Sequence, residues 1–320
     1  YVIEYMSWYV PFLVFYEILN ISMFYIRLDG SPNYAMMCNA TAAILNILLD
    51  YIFIFEFGWG MMGAAFATSL GTVVGGLMTL VYLMHYSHDL RLYRIKLSRK
   101  SLRMTFRNIG YMVKLGNSAF VSEASIACMM FLGNYVFIRN LGEDGVAAFS
   151  IVCYFFPIIF MVCNAIAQSV QPIISYNFGA GQPERVRKAL RLSLRTALIC
   201  GICFFIFTTL CCRNIVALFI DRSYSAFDIA VNGIPYFGIG FIFFAINMIG
   251  IGYYQSIERG QRATIITLLR GVVFMLIGFF VLPPILGVPG IWLAVPLAEL
   301  LTTLYIIGIY FKDRFIVRRR

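Results

Sequence analysis

The side chains of this sequence best placed to do chemistry are ionisable groups set within long apolar stretches. Four are carboxylic acids and one is a base: Glu17, Asp50, Glu123, Arg270 and Glu299. An ionisable group in such a setting is costly and is by default a functional candidate. A carboxyl group there can take up and release a proton or bind a monovalent cation, so each acid is a candidate for handling an ion.

Arg270 and Glu299 fall on two consecutive, antiparallel helices. At 1.5 Å per residue they lie ~11 Å and ~17 Å from opposite ends of those helices, which puts them at a similar depth. Two interpretations stay open at this stage. The pair forms a buried ion pair that fixes helix packing, or one or both side chains line a polar cavity.

Glu123 has no obvious local partner, because Lys114 is more than two helical turns away. It lies ~16 Å from the nearer end of its helix and Glu17 lies ~14 Å along another, so both are near the middle of a ~30 Å apolar layer. Glu123 is therefore predicted to bind the coupling ion or the substrate, with sodium as one candidate ion. Asp50 lies near a helix end, which favours an interfacial cap.

Amide side chains add to these candidates. Asn164 and Gln168 are four residues apart and so share one face of their helix. They can line a cavity, or simply hydrogen-bond to a neighbouring helix. The other amides within apolar stretches are Asn134, Asn232, Asn247 and Gln255.

The elements that position these groups are membrane spans. Hydrophobic residues make up 61% of the 320 residues and charged residues 12%, with a mean hydropathy of +0.83. Nine apolar stretches are long enough to cross a bilayer. They run near 8–26, 33–55, 60–84, 112–138, 145–176, 189–212, 226–254, 263–285 and 288–311.

Basic residues alternate between the connections. If the connection between spans three and four is cytoplasmic, every second connection and the C-terminal tail should also be basic, and they are. The clusters are Arg91, Arg94, Lys96, Arg99, Lys100, Arg103, Arg107 and Lys114; Arg185, Arg187, Lys188, Arg191 and Arg195; Arg259 and Arg262; and Lys312, Arg314, Arg318, Arg319 and Arg320.

The net charge of +10 is thus explained by topology rather than by nucleic-acid binding. The eight cysteines lie in or beside apolar runs without metal-ligand spacing, and no phosphate loop or catalytic triad is present. We expect a membrane protein that is not an enzyme and needs no cofactor.

The sequence repeats itself at a shift of 230 residues. The matches include Gly30 with Gly260 and Gly60 with Gly290, and each copy holds a charged glycine turn, a span, a glycine-rich turn and a small-residue span. Both copies have the same orientation, so the repeat is parallel. Six spans follow the connection at 86–111 and three precede it, so three N-terminal helices are expected to be missing.

Two long segments carry a family resemblance. "RLDGSPNYAMMCNATAAILNILLDYIFIFEFGWGMMGAAFAT" and "QPIISYNFGAGQPERVRKALRLSLR" resemble the multidrug and toxic compound extrusion (MATE) family, in its MepA-like branch. The resemblance implies an all-α membrane protein of two six-helix lobes. It also implies export of small lipophilic, mostly cationic drugs by antiport with H⁺ or Na⁺, with no cofactor.

The resemblance also implies a domain division. Residues 1–85 would be a partial N-terminal lobe, 86–111 a basic cytoplasmic loop, 112–311 the C-terminal lobe and 312–320 a cytoplasmic tail. The protein would be a monomer of the plasma membrane. The family's N-lobe proton-site aspartate lies on a helix that this chain does not contain, and Glu123 lies on the helix that carries one acid of a sodium site in some members.

One alternative of the same architecture is kept open. A flippase for lipid-linked oligosaccharides, or a polysaccharide exporter, should line its cavity with several cationic residues that meet a pyrophosphate. Arg270 is the only clear base in mid-span, which favours the drug exporter.

Overall fold

The computed structural model describes residues 2–88, 90 and 98–318, and it divides them into two compact units, Tyr1–Ser98 and Arg99–Arg320. Every regular element in this part of the chain is helical. Helices satisfy their own backbone hydrogen bonds, which is what a bilayer requires of a segment that crosses it.

The first unit contains three long apolar helices: α1 (Ile3–Leu28), α2 (Pro32–Glu56) and α3 (Gly60–Tyr86). Its core is built from Leu19, Met23, Ile26, Ala35, Cys38 and Ala42, with Tyr82 and Leu83. Helix α3 buries a run of small residues, and a Cβ atom on Gly76 would lie 2.9 Å from the Phe15 carbonyl oxygen. Small residues let helices approach closely where the surrounding lipid supplies no hydrophobic drive.

The second unit opens with a long helical segment, Arg99–Gly179, of 81 residues. Gly142 breaks it into two arms, because its φ of 67° and ψ of −156° are not helical. A positive φ of this kind suits glycine, which has no Cβ. We name the arms α4 (99–141) and α5 (143–179), and each is long enough to cross a membrane.

The remaining helices of the second unit are α6 (Pro183–Leu210), a short helix (Cys212–Ala217), α7 (Ser225–Ser256), α8 (Gly260–Leu286) and α9 (Val288–Arg318). With the two arms counted separately, the described residues hold nine long apolar helices. The predicted all-α membrane fold is therefore confirmed.

The core of the second unit is rich in aromatic rings. Phe137 stacks on Phe149 with ring centroids 4.6 Å apart and meets Trp292 edge-on at 4.8 Å. Gly233 lies flat against the Trp292 ring and leaves no room for a Cβ atom. The large side chains thus fill the space that glycines on neighbouring helices leave open.

Several helices begin earlier than the apolar pattern predicts, and two of them, α4 and α6, do so in basic segments. Helix α4 starts at Arg99 instead of residue 112, and α6 starts at Pro183 instead of residue 189. Their first turns are basic, and hydropathy detects only the apolar part of a helix that continues into water. The part of the predicted loop 86–111 from Arg99 onward is therefore helical. Residues 89 and 91–97 of that loop, which include Arg91, Arg94 and Lys96, lie outside the described residues.

The predicted hairpin between spans five and six is narrower than expected. Helix α5 continues to Gly179, and the turn closes when the amide of Gln182 donates to the Asn177 carbonyl at 2.9 Å. Gly181 has a φ of 66°, the left-handed conformation that ends helices in this way.

Candidate functional site

A buried ion pair lies at the centre of the second unit. The Arg270 Nε donates to Glu299 Oε1 at 2.8 Å, and the two side chains are 4% and 2% exposed. Arg270 belongs to α8 and Glu299 to α9, the two helices that the sequence places at similar depth. The structure therefore brings these two predicted site residues together.

Asn247 of α7 completes the coordination of the carboxylate. Its Nδ2 donates to Glu299 Oε2 at 2.7 Å and to the Glu299 backbone oxygen at 2.8 Å. Thr303 Oγ1 donates in turn to Asn247 Oδ1 at 2.9 Å. Both carboxylate oxygens thus have a donor, which a buried charge needs if it is not to be strongly destabilising.

The surroundings of the guanidinium are apolar and polarisable. Its central carbon lies 4.6 Å from the centroid of the Phe244 ring, and its Nη1 lies 3.5 Å from the sulfur of Met248. A cation over an aromatic face is attracted by the ring, most strongly where water is excluded. We call Asn247, Arg270, Glu299 and Thr303 the charged cluster, and it joins α7, α8 and α9.

The backbone around Arg270 is unusual. Residues Leu269–Val273 form a wider π-helical turn within α8. On α4, Ser125 occupies the space where a Cβ atom on Gly271 would lie. The wide turn and the glycine together let α8 approach α4 closely while Arg270 points toward α9. π-Helical turns of this kind are frequent at functional sites.

Glu123 is not part of the charged cluster. It precedes Ser125 by two residues, a rotation of ~200° about the helix axis, so it points away from α8. The side chain is exposed and makes no ion pair or hydrogen bond within the described residues. It shares its helix face with Phe120 and Phe131, which are 72% and 76% exposed, and with the exposed Asn134.

Asn164 and Gln168 are both partly buried on α5, in keeping with their shared face. Neither forms a side-chain hydrogen bond in the part of the chain that the structure describes. The amide on this helix that reaches another helix is Gln171, which donates to Gln255 of α7 at 2.7 Å. Gln255 donates in turn to Ser118 of α4 at 2.8 Å. This amide chain therefore ties α4, α5 and α7 together.

Gln171 and Ser118 were missed by the sequence argument. Gln171 lies within the predicted span 145–176 but was not among its polar candidates, and a single serine in an apolar helix gives no signal of its own. Gln255 was the one member of the amide chain among the polar candidates.

The candidates of the first unit stay separate from one another. Glu17 is exposed on α1 and makes no ion pair or hydrogen bond among the residues described. Asp50 is half-buried on α2, and its Oδ1 has no hydrogen-bond partner in the described chain. It directly precedes the π-helical segment Tyr51–Glu56.

A further carboxylate of the first unit, Asp29, accepts more hydrogen bonds than Glu17 or Asp50. Asp29 Oδ2 accepts from Tyr82 Oη at 3.0 Å and from the His88 amide at 2.8 Å, and Oδ1 accepts from the Leu90 amide at 3.0 Å. It is 6% exposed. Asp29 thus fixes the chain that leaves α3 to the turn between α1 and α2. The sequence signal was the charged glycine turn that recurs in the repeat.

Among residues 2–88, 90 and 98–318, no group of histidine, cysteine, aspartate and glutamate side chains is arranged to bind a metal ion. All eight cysteines are free thiols. The chemistry available to the second unit is therefore that of an exposed carboxylate on α4 and of a buried, neutralised charge pair.

Comparison with known proteins decides the family. The MatE family model matches residues 118–288, which is 171 of the 320 residues. The chain belongs to the MatE family. Glu123, Asn164, Gln168 and Arg270 lie within the matched segment, whereas Glu17 and Glu299 lie outside it.

The similarity to a curated MatE-family relative extends over almost the whole chain. The multidrug export protein MepA of Staphylococcus aureus is 26% identical over 318 residues, which cover 96% of this chain and 66% of the relative. The chain thus spans just under two thirds of the length of the relative it matches.

Solved MatE-type structures share the fold. The outward-facing conformation of a multidrug resistance MATE family transporter has a TM-score of 0.88 at 22% identity, covering 99% of this chain and 70% of that one. A MOP superfamily transporter from Pyrococcus furiosus, described as having a binding pocket of reversed polarity that suggests a different function, has a TM-score of 0.87 at 21% identity, with the same coverage of both chains. The MatE family consists of transporters, so the chain is a multi-pass membrane protein and not an enzyme.

Proposed function

We propose that the protein is a secondary active exporter of lipophilic, mostly cationic drugs, coupled by antiport to H⁺ or Na⁺ through alternating access. The similarity to a multidrug export protein over 96% of this chain supports the substrate class. The observation that carries the proposal is the face of α4 on which Glu123 stands between Phe120 and Phe131.

This face of α4 is suited to bind a lipophilic cation. A carboxylate attracts the positive charge, and aromatic rings bind both the cation and the apolar body of such a molecule. Because a single carboxylate serves one positive partner at a time, arrival of H⁺ or Na⁺ at Glu123 displaces the drug cation. Competition of this kind couples the two movements.

The other predicted pathway residues have supporting roles in this proposal. Asn164 and Gln168 offer partly buried amides to the drug or to water. Glu17 offers a second exposed carboxylate, on the first unit. The charged cluster holds α7, α8 and α9 in a fixed arrangement while the protein changes state.

The orientation and assembly are also proposals. The basic connections and the basic tail support a plasma-membrane protein with a cytoplasmic C-terminus. We propose that it acts as a monomer with small lipophilic cations and the bilayer as its partners.

The alternative export of a lipid-linked oligosaccharide has less support. Its pyrophosphate would need accessible cationic groups in mid-span. Arg270, the base that the sequence offered for this role, is 4% exposed on its side chain and neutralised by Glu299.

The test is dye export by the full-length protein in proteoliposomes, with a fluorescent cationic dye and either a proton or a sodium gradient. We expect gradient-driven transport that falls to a few per cent in Glu123→Gln. Glu143→Gln removes an exposed carboxylate from the start of α5 and serves as the matched control. Its transport should be unchanged.

Two results would contradict the proposal. Undiminished transport by Glu123→Gln would remove Glu123 from the ion or drug pathway. Absence of dye movement under both gradients, together with movement of a lipid-linked sugar, would favour the alternative exporter.

A further inference from the structure

A groove of about 650 Å³ runs along the surface of the second unit between α6, α7 and α9. Its basic end is lined by three arginines of α6, and the rest of its wall is aliphatic and aromatic. We call it the basic groove.

The arginines form a row along the groove. Arg187, Arg191 and Arg195 follow one another at four-residue intervals and so lie on one face of α6. Glu184, the one acid in the wall, accepts from Arg187 at 2.7 Å. Arg191 and Arg195 are exposed and form no ion pair within the part of the chain that the structure describes.

The position of Arg191 and Arg195 along α6 places them at the edge of the hydrocarbon core of the bilayer. Helix α6 has 28 residues. It is therefore ~42 Å long and exceeds a ~30 Å hydrocarbon core by ~12 Å, or about eight residues. If the apolar end at Leu210 marks the far edge of the core, Arg191 lies at the near edge and Arg195 one turn inside it.

An arginine at this depth calls for an anionic partner. A guanidinium inside the hydrocarbon edge is costly unless a counter-charge or headgroup water reaches it. Tyr253 and Tyr310, with ring centroids 6.1 Å apart, line the groove as well. Tyrosines with an apolar body and a polar tip are typical of the headgroup level of a membrane.

The wall beyond the arginines is apolar. Leu194 and Leu198 continue along α6, and Ile246 and Ile307 face the same groove from α7 and α9. A ligand that matches this surface has an anionic group at one end and a long hydrocarbon chain at the other.

We propose that the basic groove binds one anionic diacyl phospholipid, with its phosphate between Arg191 and Arg195 and one acyl chain along the apolar wall. The lipid supplies the counter-charge that the protein lacks at this depth, and it fills a groove that bilayer chains must otherwise cover. This site lies on the second unit alone and does not depend on the proposed drug export.

A second groove on the other side of α6 provides the contrast. It lies between α5 and α6, has a volume of about 790 Å³, and is lined by Arg185 and Lys188. Both of these cations lie within the first two turns of α6, on the water side of the hydrocarbon edge, where water can solvate them. The cations of this second groove therefore do not require an anionic partner within the hydrocarbon core.

The test is native mass spectrometry of the full-length protein released from detergent, with phosphatidylglycerol or phosphatidylcholine of identical acyl chains. We expect one retained phosphatidylglycerol per protein and much weaker retention of phosphatidylcholine. The double substitution Arg191→Gln/Arg195→Gln should lower phosphatidylglycerol retention by about tenfold or more. Arg185→Gln/Lys188→Gln removes the same charge from the same helix and should leave retention unchanged.

Two further variants separate a shaped site from general charge attraction. Arg191→Lys/Arg195→Lys keeps the charge and should retain most of the binding. Leu198→Trp keeps both arginines but narrows the groove beside its apolar wall, and it should therefore reduce retention of the diacyl lipid. Soluble glycerol phosphate should not compete at equal concentration, because it lacks the acyl chain.

Several outcomes would overturn the proposal. Equal retention of the two lipids would indicate ordinary bilayer contact, and equal loss in both double-glutamine variants would indicate a general charge effect. Full competition by glycerol phosphate would indicate a simple phosphate site. A protein partner that protects the groove while no lipid is retained would indicate a different occupant. Unchanged thermal unfolding of Arg191→Gln/Arg195→Gln confirms that its loss of binding is local.

Discussion

The two copies of the predicted internal repeat differ in what holds their helices together. In α7–α9 an electrostatic contact through Arg270, Glu299 and Asn247 is added to close packing at glycines such as Gly278. The positions 230 residues earlier in α1–α3 hold Ala40, Ser69 and an exposed glutamate, Glu17. There the helices meet through small residues.

The close packing of the first copy is visible at its glycines. A Cβ atom on Gly71 would lie 2.7 Å from the Ala42 carbonyl oxygen, and one on Gly76 would lie 2.9 Å from that of Phe15. Packing of this type tolerates no added volume, whereas a buried ion pair tolerates no loss of a partner. The second copy is therefore sensitive to loss of a charged partner in a way that the first copy is not.

The largest expected effect is in the charged cluster. Glu299→Gln leaves the Arg270 charge buried without its counter-ion, so the free energy of unfolding should fall by about 3–5 kcal/mol. Thermal unfolding in detergent measures this change. Glu17→Gln, at the corresponding position to Asn247 in the first copy, should change it by less than about 0.5 kcal/mol.

A double variant sharpens the same comparison. Arg270→Met/Glu299→Leu removes both charges and should recover much of the stability lost in the single variant, because apolar side chains of similar volume can replace a buried pair. A double variant less stable than Glu299→Gln would show that the cluster is needed for more than neutrality.

The next largest effect concerns the glycines of the first copy. Gly76→Ala places a Cβ atom against the Phe15 backbone and should lower the free energy of unfolding by about 1–3 kcal/mol. Gly308→Ala on α9 meets nothing within 4 Å and should raise it, by up to about 1 kcal/mol, through helix propensity. Equal changes in the two variants would contradict the close-packing account.

The smallest effect should be local. Asp29→Asn keeps one acceptor oxygen and replaces the other with an NH2 group, so the amides of His88 and Leu90 cannot both keep their partner. Hydrogen exchange of at least one of these two amides should speed up by about tenfold, which corresponds to roughly 1.4 kcal/mol. Asp221→Asn, in an exposed turn, should leave these amides unchanged.

The membrane spans were predictable because a bilayer fixes the length of an apolar helix. The position of Arg270 opposite Glu299 was predictable too, since depth follows from residue count along antiparallel helices. The ends at Arg99 and Pro183 were not, because a helix can continue into water after its apolar part ends.

The rotation of each helix about its axis could not be predicted. In a chain that is apolar almost all round, hydropathy does not say which face meets which neighbour. The contact of Asn247 with Glu299, the approach of Gly271 to Ser125 and the separation of Glu123 from the charged cluster all depend on that rotation.

The wide turn at Leu269–Val273 makes the effect of losing a residue from α8 depend on where it is lost. A π-helical turn accommodates about one residue more than an α-helical turn. Deleting one residue within it would let the helix relax to regular geometry and leave the rotation of the two flanks nearly unchanged. Deleting one residue from a regular part of α8 would instead rotate one flank by about 100° relative to the other, so that Arg270 and the face of α8 toward α4 no longer meet their partners together. Single-residue deletions that spare Arg270 and Gly271 should therefore be tolerated better in the wide turn than elsewhere in α8.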